Sequence, residues 1–119
     1  MADPACLSFL LPHEIRALED FRSRLQERFG NQLKAMKLFG SKVRGTDRLY
    51  SDLDVFVLLD VPRIDYEIRE TVFGLAWEGL HRYDVDLSPL IYSVDEFKEV
   101  LGRERLIART IEEEGVALL

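Results

Sequence analysis

Two aspartates with a single residue between them, Asp52 and Asp54, stand at the mouth of the most hydrophobic run of the sequence, LDVFVLL (53–59). In an extended strand residues i and i+2 point to the same face, which sets the two carboxylates roughly 7 Å apart along the strand. Unpartnered and partly desolvated, such a pair repels itself and is costly to hold. A hard dication removes both costs. Mg²⁺ takes one or two protein carboxylates and completes its shell with water and substrate phosphates, so the pattern predicts part of a metal site whose missing ligands arrive with a nucleotide. A second pair, Asp84 and Asp86, lies in YDVDLSPLIY (83–92). If the two segments are neighbouring strands, one of these supplies a third carboxylate. Asp86 is favoured, because Val85 and Leu87 flank it and place it further inside the strand; Asp84 is the alternative. Three acids can hold two metal ions about 4 Å apart, one activating an attacking hydroxyl and the other neutralising a triphosphate and its leaving pyrophosphate.

The phosphate side of that chemistry is found upstream. Gly40 and Ser41 end a short apolar run, KAMKLF, ten residues ahead of Asp52. Glycine at a strand end lets backbone N–H groups approach phosphate oxygens. The Ser41 hydroxyl can donate to the same group, and a helical turn begun there would favour the anion further. Lys42 and Arg44 are placed to meet the outer phosphates. GSKVRG lacks the Gly-Lys-Ser/Thr ending of a Walker loop. Lys34, Lys37, Lys42, Arg44 and Arg48 make this stretch locally basic on a chain of net charge −6. That balance suits a small polyanion and argues against duplex DNA, which needs a broad basic face.

The elements that must position these residues follow from periodicity. The 119 residues, 47% apolar and 32% charged, predict one compact domain over 1–119. Ile15, Leu18, Phe21, Leu25 and Phe29 recur at helical spacing over 12–29, with Pro12 in the first turn and Gly30 to cap the end. Residues 34–39 and 53–59 are predicted strands, the second apolar on both parities and so covered on both faces. A long helix is predicted over 64–82, capped by Asp65, then a strand over 83–92 with Tyr83, Val85 and Leu87 on one face and Asp84, Asp86 and Ser88 on the other. Ser93 and Glu96 form a capping box that opens SVDEFKEVL. ERLIARTIEEE is a last helix, stopped by Gly115 before the apolar tail VALL. The order α-β-β-α-β-α-α gives an α+β fold, a mixed β-sheet flanked by helices.

GSKVRGTDRLYSDLD, residues 40–54, resembles the Gly-Ser, ten-residue, Asp-x-Asp signature of the DNA polymerase β-like nucleotidyltransferase superfamily. The form Gly-Ser-x-x-Arg-Gly, and a close such as IEEEGVALL, resemble the minimal nucleotidyltransferases more narrowly. The resemblance implies transfer of NMP, AMP from ATP, with Mg²⁺ (two ions, or Mn²⁺ in its place). Gly40 and Ser41 would hold the triphosphate, with Lys42 and Arg44 beside them. Asp52, Asp54 and Asp86 would be metal-binding and catalytic. It also implies a helical HEPN-domain protein as partner; in characterised toxin-antitoxin pairs of this kind the transferase adds AMP to a tyrosine of the toxin. Two rivals stand beside a protein acceptor: a small-molecule, aminoglycoside-like transferase, and a non-catalytic antitoxin that occludes its partner.

The remaining residues are quieter. Cys6 is the only cysteine, which excludes an internal disulfide and fits a reducing cytoplasm. The short apolar run near the start has no basic flank and predicts neither a signal peptide nor a membrane span. His13 and His81 lack partners at metal-ligand spacing and are expected at the surface or at helix ends. Phe73 and Trp77, at i and i+4, are expected in core or interface packing. LSFLL and VALL are expected either in the core or in an apolar patch for a partner. A homo-oligomer is compatible with the sequence.

Overall fold

The computed structural model describes residues 10–39, 52–103, 106 and 109–118. Helix α1, Pro12–Phe29, buries Ala17, Leu18, Phe21 and Leu25 and coincides with the predicted span. Gly30 ends it at φ 54°, with its N–H donating to Gln26 O, a backbone conformation that favours glycine. A 3₁₀ turn, Gly30–Gln32, leads into β1, Leu33–Phe39. Strand β2, Leu53–Leu59, runs antiparallel to β1, with Phe39 opposite Asp54 and Leu38 opposite Val55.

Helix α2, Tyr66–Tyr83, is capped by the Asp65 carboxylate, which accepts from Ile68 N at 2.9 Å. It returns the chain to β3, Leu87–Ser93, which is parallel to β2, with Leu53 opposite Leu87 and Asp54 opposite Ser88. The strand begins four residues later than the predicted 83. The alternation of Tyr83, Val85 and Leu87 imitates a strand, but Tyr83 completes α2. Asp84 stands at φ 57° as its C-cap and donates its N–H to Leu80 O at 3.0 Å. The sheet order is β3-β2-β1-β4.

Helix α3, Val94–Arg103, opens on the predicted box. Glu96 N donates to Ser93 Oγ at 3.1 Å, while the Glu96 carboxylate accepts from Ser93 N at 3.2 Å and Ile64 N at 3.1 Å. Burial alone would raise the Glu96 pKa; these hydrogen bonds and the charge of Arg69 outweigh it and hold the carboxyl below its ordinary value. Leu106 and Arg109 are helical and Thr110–Glu114 forms a π-helical turn. The tail then departs from expectation by making a fourth strand. β4, Val116–Ala117, is antiparallel to β1, and Leu118 is buried, its N–H donating to Met36 O at 2.8 Å.

Both faces of β2 are covered, as its composition requires. Leu53, Val55, Val57 and Leu59 belong to a core shared with α1 and α2. On the other face Phe56 packs with Phe97 of α3 and Ile111, its ring 4.8 Å from that of Phe97. Gly79 of α2 lies against Leu87: a Cβ there would sit 3.2 Å from Leu87 Cδ1. The glycine therefore lets α2 approach the start of β3 closely. Among the described residues no helix is long and apolar enough to cross a membrane.

Candidate active site

Asp52 and Asp86 occupy equivalent places, each immediately before its strand. Because β2 and β3 are parallel and Leu53 pairs with Leu87, the two acids arrive at the same end of the sheet. Leu53 N donates to the Asp86 carbonyl at 2.9 Å and ties the two strand starts together. Burial of its carboxyl, the negative charge of Asp52 and a hydrogen bond shared with that side chain push Asp86 above the usual carboxylate range. Asp86 as a residue is exposed, so the neighbouring carboxylate is the cause that a bound cation could relieve.

Asp54 lies one pleat further along β2, half-buried, between Phe39 of β1 and Ser88 of β3. Strand alternation puts it on the same side as Asp52. Asp84 is the acid that is not brought in, since its backbone is used to cap α2. Among the described residues no three His, Cys, Asp or Glu side chains gather into a metal-holding group; the contact is between two acids. Gly40, Ser41, Lys42 and Arg44 lie outside the described residues, and Gly40 follows directly on Phe39, whose cross-strand neighbour is Asp54. The histidines stand where expected, His13 in the first turn of α1 and His81, exposed, in the last turn of α2.

Two neighbouring carboxylates at an exposed strand end, with only oxygen donors, fit a cation such as Mg²⁺ or Mn²⁺ that keeps water and takes phosphate oxygens. Thiolate or imidazole ligands, which would favour softer metals, have no place in this donor set. The acids open onto a cleft of about 310 Å³ that is also lined by Phe73, Trp77, Leu80 and Ser88. These lining residues were missed in the sequence. Phe73 and Trp77 are not core residues: they are 43% and 60% exposed. Their i, i+4 spacing marked them as one helix face but not as the wall of a site.

Comparison with known proteins gives the family and the fold. Residues 18–118 match the family model described as "Nucleotidyltransferase domain". Two curated proteins of Methanocaldococcus jannaschii are similar. "Putative protein adenylyltransferase MJ1305" is 31% identical over 75 residues, 62% of this chain and 51% of that protein. "Putative protein adenylyltransferase MJ0604" is 28% identical over 106 residues, 89% of this chain and 98% of that protein. The chain thus spans about half the length of the first and nearly all of the second. Among solved structures, a toxin-antitoxin with AMP-PNP superposes with a TM-score of 0.57 at 20% identity, over 92% of this chain and 73% of that one. A tri-AMPylated Shewanella oneidensis HEPN toxin in complex with its MNT antitoxin gives 0.51 at 19% identity, over 90% and 71%. At such identities the structural likeness carries the fold.

Proposed function

Because this chain belongs to the nucleotidyltransferase domain family, we propose that it transfers AMP from ATP to a hydroxyl of a partner protein, in the presence of Mg²⁺. The observation that carries the reading is the meeting of Asp52 and Asp86 at the shared end of two parallel strands, with the Asp86 pKa raised. Such crowding at an exposed edge costs stability and makes sense at a site that receives positive charge.

Gly40 and Ser41 bind the triphosphate through backbone N–H groups and the hydroxyl, and Lys42 and Arg44 meet its outer oxygens. Asp52 and Asp86 would hold a metal ion, with Asp54 as a further carboxylate one pleat along β2, and the ion would supply charge neutralisation to the phosphates. Asp86, on the cleft side, accepts the hydrogen bond of the acceptor hydroxyl and orients its oxygen toward the α-phosphorus. The acceptor oxygen forms the new bond to the α-phosphorus as its proton passes to the Asp86 carboxylate, the bond from the α-phosphorus to the α,β-bridging oxygen breaks, and pyrophosphate leaves in line. The protein's part is positioning and charge, as in phosphoryl transfer generally.

A protein acceptor is supported by the names of the two curated relatives. The structural neighbours support a helical HEPN-domain toxin as that acceptor, since one is a complex of an MNT antitoxin with an AMPylated HEPN toxin. The test uses ATP labelled on its α-phosphate, Mg²⁺, the purified chain and lysate of its source cell. Label on a protein band, lost with Asp52→Asn, is expected. Transfer to a small molecule with none to any protein would replace the acceptor, and full transfer by Asp52→Asn would sink the site.

A further inference from the structure

The cleft beside the acids has a wall that the proposed chemistry does not use. Phe73, Trp77 and Leu80 of α2 face it, and Asp52, Asp86 and Ser88 form its other side. Two large rings left 43% and 60% exposed on one helix face are unusual in a small domain. The Trp77 ring meets His81 in a T-shaped contact, centroids 4.7 Å apart, and remains 60% exposed.

Sheet order says which substrate that wall meets. β2 carries Asp54 and follows Asp52; β1 lies on one side of it and β3 on the other. The residues proposed to hold the triphosphate follow Phe39, the last residue of β1. The cleft lies on the β3 side. In-line transfer requires the attacking hydroxyl to enter opposite the leaving pyrophosphate, so the β3 side is the acceptor's side. The wall's chemistry narrows the acceptor further. Its α2 residues are apolar and carry no acid, and the nearby Glu78 is turned to Arg24 at 2.9 Å. Asp52 and Asp86 stand on the other side of the cleft, and the rings of the wall itself offer an apolar stretch of polypeptide a surface to cover.

We propose that Phe73 and Trp77 are acceptor-recognition residues, which bind the apolar flank of the polypeptide segment that carries the acceptor hydroxyl and hold that hydroxyl toward Asp86. This rests on the nucleotidyltransferase reading above. A nucleobase stacked on Trp77 is the competing occupant, and the experiment separates the two.

Phe73→Ala, Trp77→Ala and Trp77→Phe are compared with the unaltered chain and with Asp52→Asn. Two quantities are read: binding of labelled ATP with Mg²⁺, and the rate of protein labelling from α-labelled ATP over a dilution series of source-cell lysate. The expected result is ATP affinity within about twofold for all three α2 variants, with labelling at low lysate reduced about 10- to 50-fold by each alanine. Labelling should recover as lysate is concentrated, and Trp77→Phe should restore most of it. Asp52-dependent labelling that both alanine variants retain in full would overturn this inference while leaving the transferase reading intact. So would a tenfold loss of ATP affinity in Trp77→Ala, which would give the wall to the nucleobase. No label from the unaltered chain would remove the protein-directed transferase reading and the inference together.

Discussion

Asp52→Asn should make the metal-free protein more stable while abolishing transfer, and the size of the gain can be worked from the site. Asp52 and Asp86 are close enough that the charge of Asp52 helps to raise the pKa of Asp86. Two unit charges about 4 Å apart repel by about 1 kcal/mol in water. Both residues are exposed, so screening trims that to between a few tenths and about 1 kcal/mol. For a chain of this size the melting temperature should rise by roughly 1–5 °C at pH 7.5 in EDTA. Mg²⁺ reverses the order. At ten times the dissociation constant a bound ion stabilises the native state by about 1.4 kcal/mol. The unaltered chain should gain this, and the variant, lacking one ligand, should gain little. Thermal melts of both proteins in EDTA and in millimolar Mg²⁺ give the four values needed. A variant less stable than the unaltered chain in EDTA, or one that gains equally from Mg²⁺, would show that the two acids are not a strained cation site.

Three other perturbations test the frame around the site. Glu96→Gln removes charge-assisted hydrogen bonds to Ser93 N and Ile64 N and should cost about 1 kcal/mol at neutral pH. Because the folded pKa of Glu96 is lowered from 4.5, its stabilisation is present above that value and is lost as pH falls through the folded pKa. Urea unfolding should therefore show the gap between the two proteins closing as pH falls below 4.5 and through the lowered folded pKa, with transfer at neutral pH unchanged. Gly79→Val drives a branched side chain into Leu87, where even a Cβ meets Cδ1 at 3.2 Å. It should cost about 1–3 kcal/mol and, by moving the residue next to Asp86, slow transfer even at temperatures where the variant is fully folded. Leu118→Ala opens a buried site at the β4 end and should cost about 2–4 kcal/mol by chemical denaturation, with the labelling rate of the folded protein preserved.

Much of the fold was legible because local pattern and tertiary burial agree. α1 and β2 have the limits their periodicity predicts. Asp65 and the Ser93–Glu96 box cap the helices expected of them. The failures have separate causes. Around Tyr83–Leu87 a period-two pattern runs through a helix end, and only the left-handed Asp84 shows where α2 stops. β4 has two residues and no strand pattern of its own; it exists because the free edge of β1 offers it partners at Lys37 and Leu38. For Phe73 and Trp77 residue type leaves core and interface packing both open, and their exposure removes the first. At the site, the spacing of Asp52 and Asp54 marks them as a pair at the start of β2, and the structure places Asp52 immediately before the strand and Asp54 within it. Asp86 is favoured over Asp84 by its apolar neighbours Val85 and Leu87, and the register adds what sequence cannot show, that Asp86 stands before Leu87 and so beside the start of β2.

That register also explains how a small domain sustains the acid pair. Separated in sequence by a strand and a helix, Asp52 and Asp86 would not approach one another spontaneously, because their charges oppose it. What brings them together is the residue after each. Leu53 and Leu87 are paired across the parallel ladder and are 0% and 5% exposed. Burying a leucine side chain is worth about 1.5–3 kcal/mol, more than the repulsion of two exposed carboxylates. The crossover helix α2 seals both leucines from one face, closely enough to need Gly79 over Leu87. The site is thus a polar strain carried by apolar anchors one residue away. Conservative changes at Leu53 or Leu87 should then disturb transfer through the acids' spacing before they unfold the protein.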